Sequence, residues 1–190
     1  MSANGTYASV RRVKKLPVSF FIRPTLEVAR ELVGCYLVVR RNGKIQRCMI
    51  TETEAYDGFE DLASHASRGK TKRNEIMFRK AGHIYVYFTY GMHWMLNFVT
   101  GPADYPAAVL IRGAQTVDGA AHYNGPAILT KAMGITGAFN GQVLSRKVGL
   151  WIEEPKPDAP KLKIAATPRI GIDYAGPVWS KKHYRFVVKN

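Results

Sequence analysis

The stretch His83 to Val99, HIYVYFTYGMHWMLNFV, decides how this chain is read. Ile84, Tyr85, Val86, Tyr87 and Phe88 are β-branched or aromatic, types that suit a pleated surface. Tyr90-Gly91 interrupts the run, and Met92 to Val99 reads as a second apolar strand, so the stretch predicts a hairpin. Strand side chains alternate, which puts Tyr85, Tyr87 and Thr89 on one face and leaves Tyr90 at the turn. Two readings stay open from these residues alone. One is a core hairpin with a buried aromatic face; the other is an aromatic finger that protrudes towards a ligand.

The segment just before it, HASRGKTKRNEIMFRKAG (65–82), carries Arg68, Lys70, Lys72, Arg73, Arg79 and Lys80 against a lone Glu75. Basic side chains among Gly and Asn, followed by flat rings, suit a phosphate backbone and something to stack on. The whole chain agrees: 28 Lys and Arg against 14 Asp and Glu give a formal charge of +14 over 190 residues. Such a field attracts polyanions, either nucleic acid or an anionic membrane surface. The apolar runs are too short to span a bilayer, and VSFFI (18–22) is too short for a signal-peptide core. Cys35 and Cys48 have no CxxC spacing, which predicts free thiols in a reducing, intracellular setting. No His/Cys cluster has zinc spacing, so neither metal nor cofactor is expected.

Outward from the hairpin, residues 1–16 read as a disordered basic tail and 17–190 as one domain. Thr25 is placed to cap a helix that carries Leu26, Ala29 and Val33 on one face and stops at Gly34. Cys35–Arg40 reads as a strand, Asn42-Gly43 as a two-residue hairpin turn, and Ile45–Glu52 as the returning strand. Asn74 is placed to cap a short helix over Ile76–Phe78. Ala107–Arg112 reads as a buried strand with Arg112 at its end, and Gly125-Pro126 opens another helix. Leu150–Glu153, Lys163–Ile172 and His183–Lys189 complete the strands. The expected fold is α+β: a curved, mainly antiparallel sheet, flanking helices and a protruding aromatic hairpin.

TETEAY (51–56) contributes two carboxylates, Glu52 and Glu54, at the end of a strand. They are either a solvated acidic face or, for Glu54 beside Tyr56 in a basic concavity, a general base. Arg112 is either a solvated strand-end arginine or a group that positions a phosphate or a water. His65 and His93 have no partner readable from the sequence.

Taken in order, ETEAY (52–56), the His65–Asn74 loop, YVYFTYGM (85–92), Asn97, VLIRGA (109–114), NGPAILTKAMGI (124–135) and RIGI (169–172) resemble the 3-methyladenine (alkyladenine) DNA glycosylase family. The match runs from about Pro24 to Val188, and its specificity lies in the combination of ETEAY, YVYxxYGM and the VLIR arginine.

The resemblance implies a monofunctional enzyme that extrudes a damaged purine from duplex DNA and hydrolyses its N-glycosidic bond. It thereby starts base excision repair without a lysine Schiff base. Glu54 matches the carboxylate that activates water, Arg112 the arginine beside that water and the flipped phosphate, and Ile170 a backbone oxygen on the same water. Tyr56, Ala63, His65, Tyr87 and Asn97 match the base pocket, with Asn97 crowding the purine 2-position. Tyr90 with Met92 matches the wedge inserted into the duplex, and Arg68, Lys70, Lys72 and Arg73 are the expected phosphate contacts. The expected partner is double-stranded DNA bearing damaged purines, bound by a monomer without membrane or cofactor, in a bacterial cytoplasm or nucleoid or a eukaryotic nucleus. His93, Ala127-Ile128 and the extra residue in DYAGPVW (173–179) depart from the family pattern. A non-catalytic nucleic-acid-binding module is the alternative; a general RNA-binding protein is disfavoured because no RNP-like motif is present.

Overall fold

The computed structural model of the chain describes residues 13–189, and in it the His83–Val99 stretch forms two antiparallel strands of a larger curled sheet. In chain order the elements are helix α1 (Thr25–Leu32) and strands β1 (Tyr36–Arg41), β2 (Lys44–Asp57), β3 (Ile84–Thr89), β4 (His93–Val99), β5 (Ala107–Thr116) and β6 (His122–Asn124). Helix α2 (Pro126–Met133), strands β7 (Leu150–Glu153) and β8 (Ile164–Thr167), helix α3 (Gly176–Trp179) and strand β9 (Arg185–Val188) follow. The sheet runs β3-β4-β5-β2-β1-β7, with β6 on β5 and the β8–β9 pair joined to β2. Every pairing is antiparallel. The α+β expectation holds.

The hairpin turns out to have two different faces, as period-two alternation demands. Ile84, Val86, Leu96 and Phe98 enter the main core, where α1 supplies Val28, Ala29 and Leu32 and α2 supplies Leu129 and Met133. Tyr85 and Val99 point the other way, into a second cluster with Ala66, Met77, Phe78 and Ala108, against which Tyr87 packs. The aromatic face is therefore not the main core.

Several expectations need correction. Thr25 is the first helical residue rather than the cap, and its hydroxyl donates to Asp57 Oδ1 (2.8 Å), tying the helix start to the end of β2. The buried face is wider than Leu26, Ala29 and Val33: Val28 and Leu32 are buried as well, while Leu26 is only partly so. Asn74 caps nothing with its side chain; it braces the preceding loop, donating to the carbonyls of His65 (2.8 Å) and Gly69 (2.9 Å). The expected 163–172 strand stops at Thr167, which frees Pro168–Ile172 to turn towards the site. Of the tail expected over 1–16, residues 1–12 lie outside the described residues. Its last part runs along β7, with Leu16 N–H donating to the Ile152 carbonyl (2.9 Å) and the Leu16 side chain buried.

The consequential correction concerns β2 and β5. TETEAY does lie at the end of a strand, but β2 runs on to Asp57 instead of stopping at Glu52, and Arg112 is no strand end, because β5 continues to Thr116. The β2–β5 register slips twice, between Ile50 and Glu52 and between Glu52 and Thr53. Glu52 faces Gly113 and Thr53 faces Ile111, which leaves Arg112 as the extra residue on β5. A bulge re-aims its side chain. Here it brings Arg112 to the same side as Glu52 and Glu54, while Thr53 points back and donates to the Ala29 carbonyl of α1 (2.7 Å).

Candidate active site

Glu54 lies at the bulge with no solvent exposure, and its carboxylate is held from three sides. The backbone N–H of Ile170 donates to Oε1 (2.8 Å), the phenol of Tyr56 donates to Oε2 (2.9 Å), and Arg112 Nε stands 3.4 Å from Oε1. Burial pushes the Glu54 carboxyl above the ordinary glutamate range, against the pull of Arg112, Ile170 N–H and the Tyr56 phenol, while Glu52 adds to the rise. A carboxylate that is buried yet hydrogen-bonded in its charged form is suited to take up a proton.

Tyr56, which holds Glu54, also lines a small cavity of about 50 Å³. Tyr56, Tyr87 and His65 supply its rings, Asn97 and Ala63 part of its wall, and Met77 and Tyr85 its depth. His65 meets Tyr87 edge to face, with ring centroids 4.6 Å apart, and its Nδ1 shares a hydrogen bond with Tyr85 Oη (3.2 Å). Desolvation and the nearby Arg73 charge push the His65 imidazole below its usual range, favouring the neutral ring at neutral pH. Asn97 is buried in the middle of β4, and its amide donates to the carbonyls of Tyr85 (3.2 Å) and Met95 (3.4 Å).

The hairpin tip is different in kind. Tyr90 is 86% exposed and Met92 66%, an unusual display for two large apolar residues. Tyr90 also has a φ of 51°, followed by Gly91 at 66°. A tyrosine in the left-handed region is strained by about 1 kcal/mol, so the turn presents this ring at a conformational cost. Of the four expected phosphate contacts, all are exposed, but they divide. Arg73 lies over the Tyr87 ring (5.3 Å) and Lys70 over Phe78 (5.5 Å), whereas Arg68 and Lys72 make no hydrogen bond or ion pair among the described residues.

Three supporting features were not anticipated from the sequence. Arg169 and Asp61 form an enclosed pair, with Nη1 on Oδ2 and Nη2 on Oδ1 (2.8 Å), and Arg169 lies between the rings of Tyr56 (4.8 Å) and Tyr184 (5.2 Å). Glu52 holds Arg112 and Arg185 together. Tyr174 lines the cavity and donates to the Ala63 carbonyl (3.0 Å). No group of His, Cys, Asp and Glu among the described residues has the arrangement of a metal site, and no helix is long and apolar enough to cross a membrane.

Known proteins share this arrangement of sequence. The profile of the family described as Methylpurine-DNA glycosylase (MPG) matches residues 19–190. A Myxococcus xanthus relative, a 3-methyladenine DNA glycosylase by name, is 44% identical over 178 residues, covering 92% of this chain and 90% of its own. Relatives of the same name from Methanocella arvoryzae and Carboxydothermus hydrogenoformans are each 44% identical over 92% of this chain, covering 92% and 95% of their own lengths.

Proposed function

The chain belongs to the methylpurine-DNA glycosylase family and is a DNA glycosylase of base excision repair, a hydrolase of N-glycosyl bonds acting on DNA; we propose that Glu54 is its general base and the aromatic cavity its base pocket. The observation that carries the reading is the buried Glu54 carboxylate, hydrogen-bonded by the Ile170 N–H and by Tyr56, whose ring lines that cavity. A base inside a duplex cannot reach a side chain enclosed in this way, so the damaged purine must leave the stack. Tyr56 and Tyr87 replace the lost stacking, with His65 at the purine edge. As the bond from C1′ to the base nitrogen lengthens, the sugar acquires oxocarbenium character, which the Glu54 charge stabilises. Water then attacks C1′, its proton passes to Glu54, and the bonding pair leaves with the base. Arg112 and the Ile170 carbonyl hold that water. A lesion already cationic departs without a proton donor, and a neutral one demands more of Glu54.

The substrate is duplex DNA containing alkylated or deaminated purines, and the enzyme works as a monomer on intracellular DNA, in a nucleoid or a nucleus. Arg68, Lys70, Lys72 and Arg73 approach the phosphate backbone. Incubating the protein with duplexes carrying 3-methyladenine, 7-methylguanine, hypoxanthine or etheno-adenine, and measuring free base, tests this directly. A non-catalytic binder releases none of them.

Tyr90, with Met92, is the wedge that fills the vacated stack. Tyr90→Ser should lower the extruded fraction of a fluorescent lesion base in stopped-flow measurements while leaving the first DNA encounter almost unchanged. An unchanged extrusion amplitude would remove the wedge role.

Asn97 excludes guanine, which differs from hypoxanthine by its 2-amino group. Its two amide hydrogen bonds keep it from swinging aside, and an added group is rejected only where something fixed opposes it. Asn97→Ala should raise guanine excision relative to hypoxanthine in single-turnover rates on matched duplexes. An equal ratio in the folded variant would put guanine rejection elsewhere.

A further inference from the structure

Arg185 Nε donates to Glu52 Oε1 at 2.6 Å, and Arg112 Nε donates to the same oxygen at 2.8 Å. Two guanidiniums are thus hung from one carboxylate atom through their inner nitrogens, which turns both outer forks away from it. Arg185 Nη1 donates to Thr167 Oγ1 (3.0 Å). Arg185 Nη2 and both Nη atoms of Arg112 have no acceptor among the described residues, and none of the three is sealed from solvent. The contrast with Arg169 is instructive, since Asp61 there takes up both outer nitrogens.

These groups are largely withdrawn from solvent, with the side chains of Arg112, Arg185 and Glu52 only 14%, 20% and 12% exposed. Glu52 and Glu54 balance the two positive charges, so what the cluster lacks is not charge but acceptors for the three outer nitrogens, which a phosphate oxygen supplies. The sheet makes room for the arrangement: a Cβ on Gly113 would lie 3.1 Å from Glu52 Cβ and 3.0 Å from Thr51 Oγ1. Gly113 therefore serves close approach, not turn geometry. Arg112 also stands 3.4 Å from Glu54, so the free nitrogens lie beside the carboxylate that must reach C1′. The flanking phosphates hang from that same sugar.

We propose that Arg185 is a second phosphate-binding residue, clamping with Arg112 a phosphodiester that flanks the extruded nucleotide, and that Glu52 is the positioning residue that spaces the two guanidiniums. The proposal rests on the glycosylase reading for its choice of ligand. Bidentate guanidinium forks match phosphate geometry, and one carboxylate between two of them sets their separation.

The test is a cycle of binding constants on duplexes holding a tetrahydrofuran abasic-site analogue, which require no base release. Wild type and Arg185→Gln are compared on the natural duplex and on duplexes with a neutral methylphosphonate 5′ or 3′ of the analogue, or six base pairs away. Arg185→Gln should weaken binding about ten- to a hundred-fold on the natural duplex, the range of a charge-assisted contact. It should change little where the flanking phosphate is already neutral, and the remote methylphosphonate should leave the full loss intact. Arg185→Lys should recover part of the affinity, and Glu52→Gln should weaken binding without a matching change in salt slope. Additive losses at both flanking positions, in proteins that melt as wild type does, overturn the proposal. Absence of base release by wild type from every lesion duplex would instead sink the glycosylase reading and leave the cycle interpretable.

Discussion

Glu54→Gln should bind lesion duplexes as wild type does and release hypoxanthine about 10²–10⁴-fold more slowly in single turnover, the usual contribution of a positioned general base. Gln keeps the shape and an acceptor for the Ile170 N–H that now rests on Oε1, so the loop need not move. On a cationic methylpurine the loss should be smaller, because departure of the base then needs less help. A near-wild-type rate on hypoxanthine would remove Glu54 from the chemistry.

The same carboxyl fixes a pH dependence. Glu54 works as a base only when ionised, and burial raises its pKa in the folded protein. Activity must therefore fall as pH drops through a value above the ordinary glutamate figure of about 4.3. Tyr56→Phe deletes a hydrogen bond that favours the charged form, so its acid limb should move to still higher pH. Linkage gives the companion sign: between the unfolded and folded pKa values the native state holds a proton that the unfolded chain has released. Glu54 thus favours the fold at low pH and loses that contribution as pH rises through the window.

Period-two patterning made the hairpin legible in the sequence, and Asn42-Gly43 announced its own turn, with φ values of 49° and 73°. Gly125-Pro126 and Gly134 likewise bracket α2, the latter in the left-handed conformation. Glu54, Tyr56, Tyr87 and Arg112 were legible as candidates, and the fold brings them together. What the sequence did not display was the double register slip that aims Arg112, since a bulge is a property of two strands and leaves no period in either. Glu52 and Arg185, 133 positions apart, could not be paired from local pattern. Asp61 and Arg169 were hidden for the same reason, although an arginine set between Pro168 and Ile170-Gly171 in the RIGI segment is a weak sign of a charge destined for the interior.

That last pair carries the larger structural prediction. Both side chains are fully enclosed, and Asp61 accepts two backbone N–H groups besides Arg169: those of Asp57 (3.1 Å) and Ala63 (3.1 Å). Arg169 in turn donates to the Ala55 carbonyl (2.9 Å). The pair therefore pins the loop after β2, which carries Ala63 and His65, to the segment whose next residue, Ile170, holds Glu54. Asp61→Asn keeps the volume but strands a buried guanidinium and turns an amide towards donors, which should cost about 3–5 kcal/mol. For a chain of this length, each kcal/mol lowers the melting temperature by about 2–4 °C. Replacing both partners by apolar residues of similar size, Asp61→Leu with Arg169→Met, should recover much of that stability, because no buried charge is left uncompensated. It should not recover the rate. With the guanidinium gone from between Tyr56 and Tyr184, nothing charged holds Ile170 N–H on Glu54, so the acid limb should rise and the pocket wall loosen. Thermal melts and pH–rate profiles on the two variants separate these effects. An Asp61→Asn protein that melts with wild type would show that the pair does not brace the site.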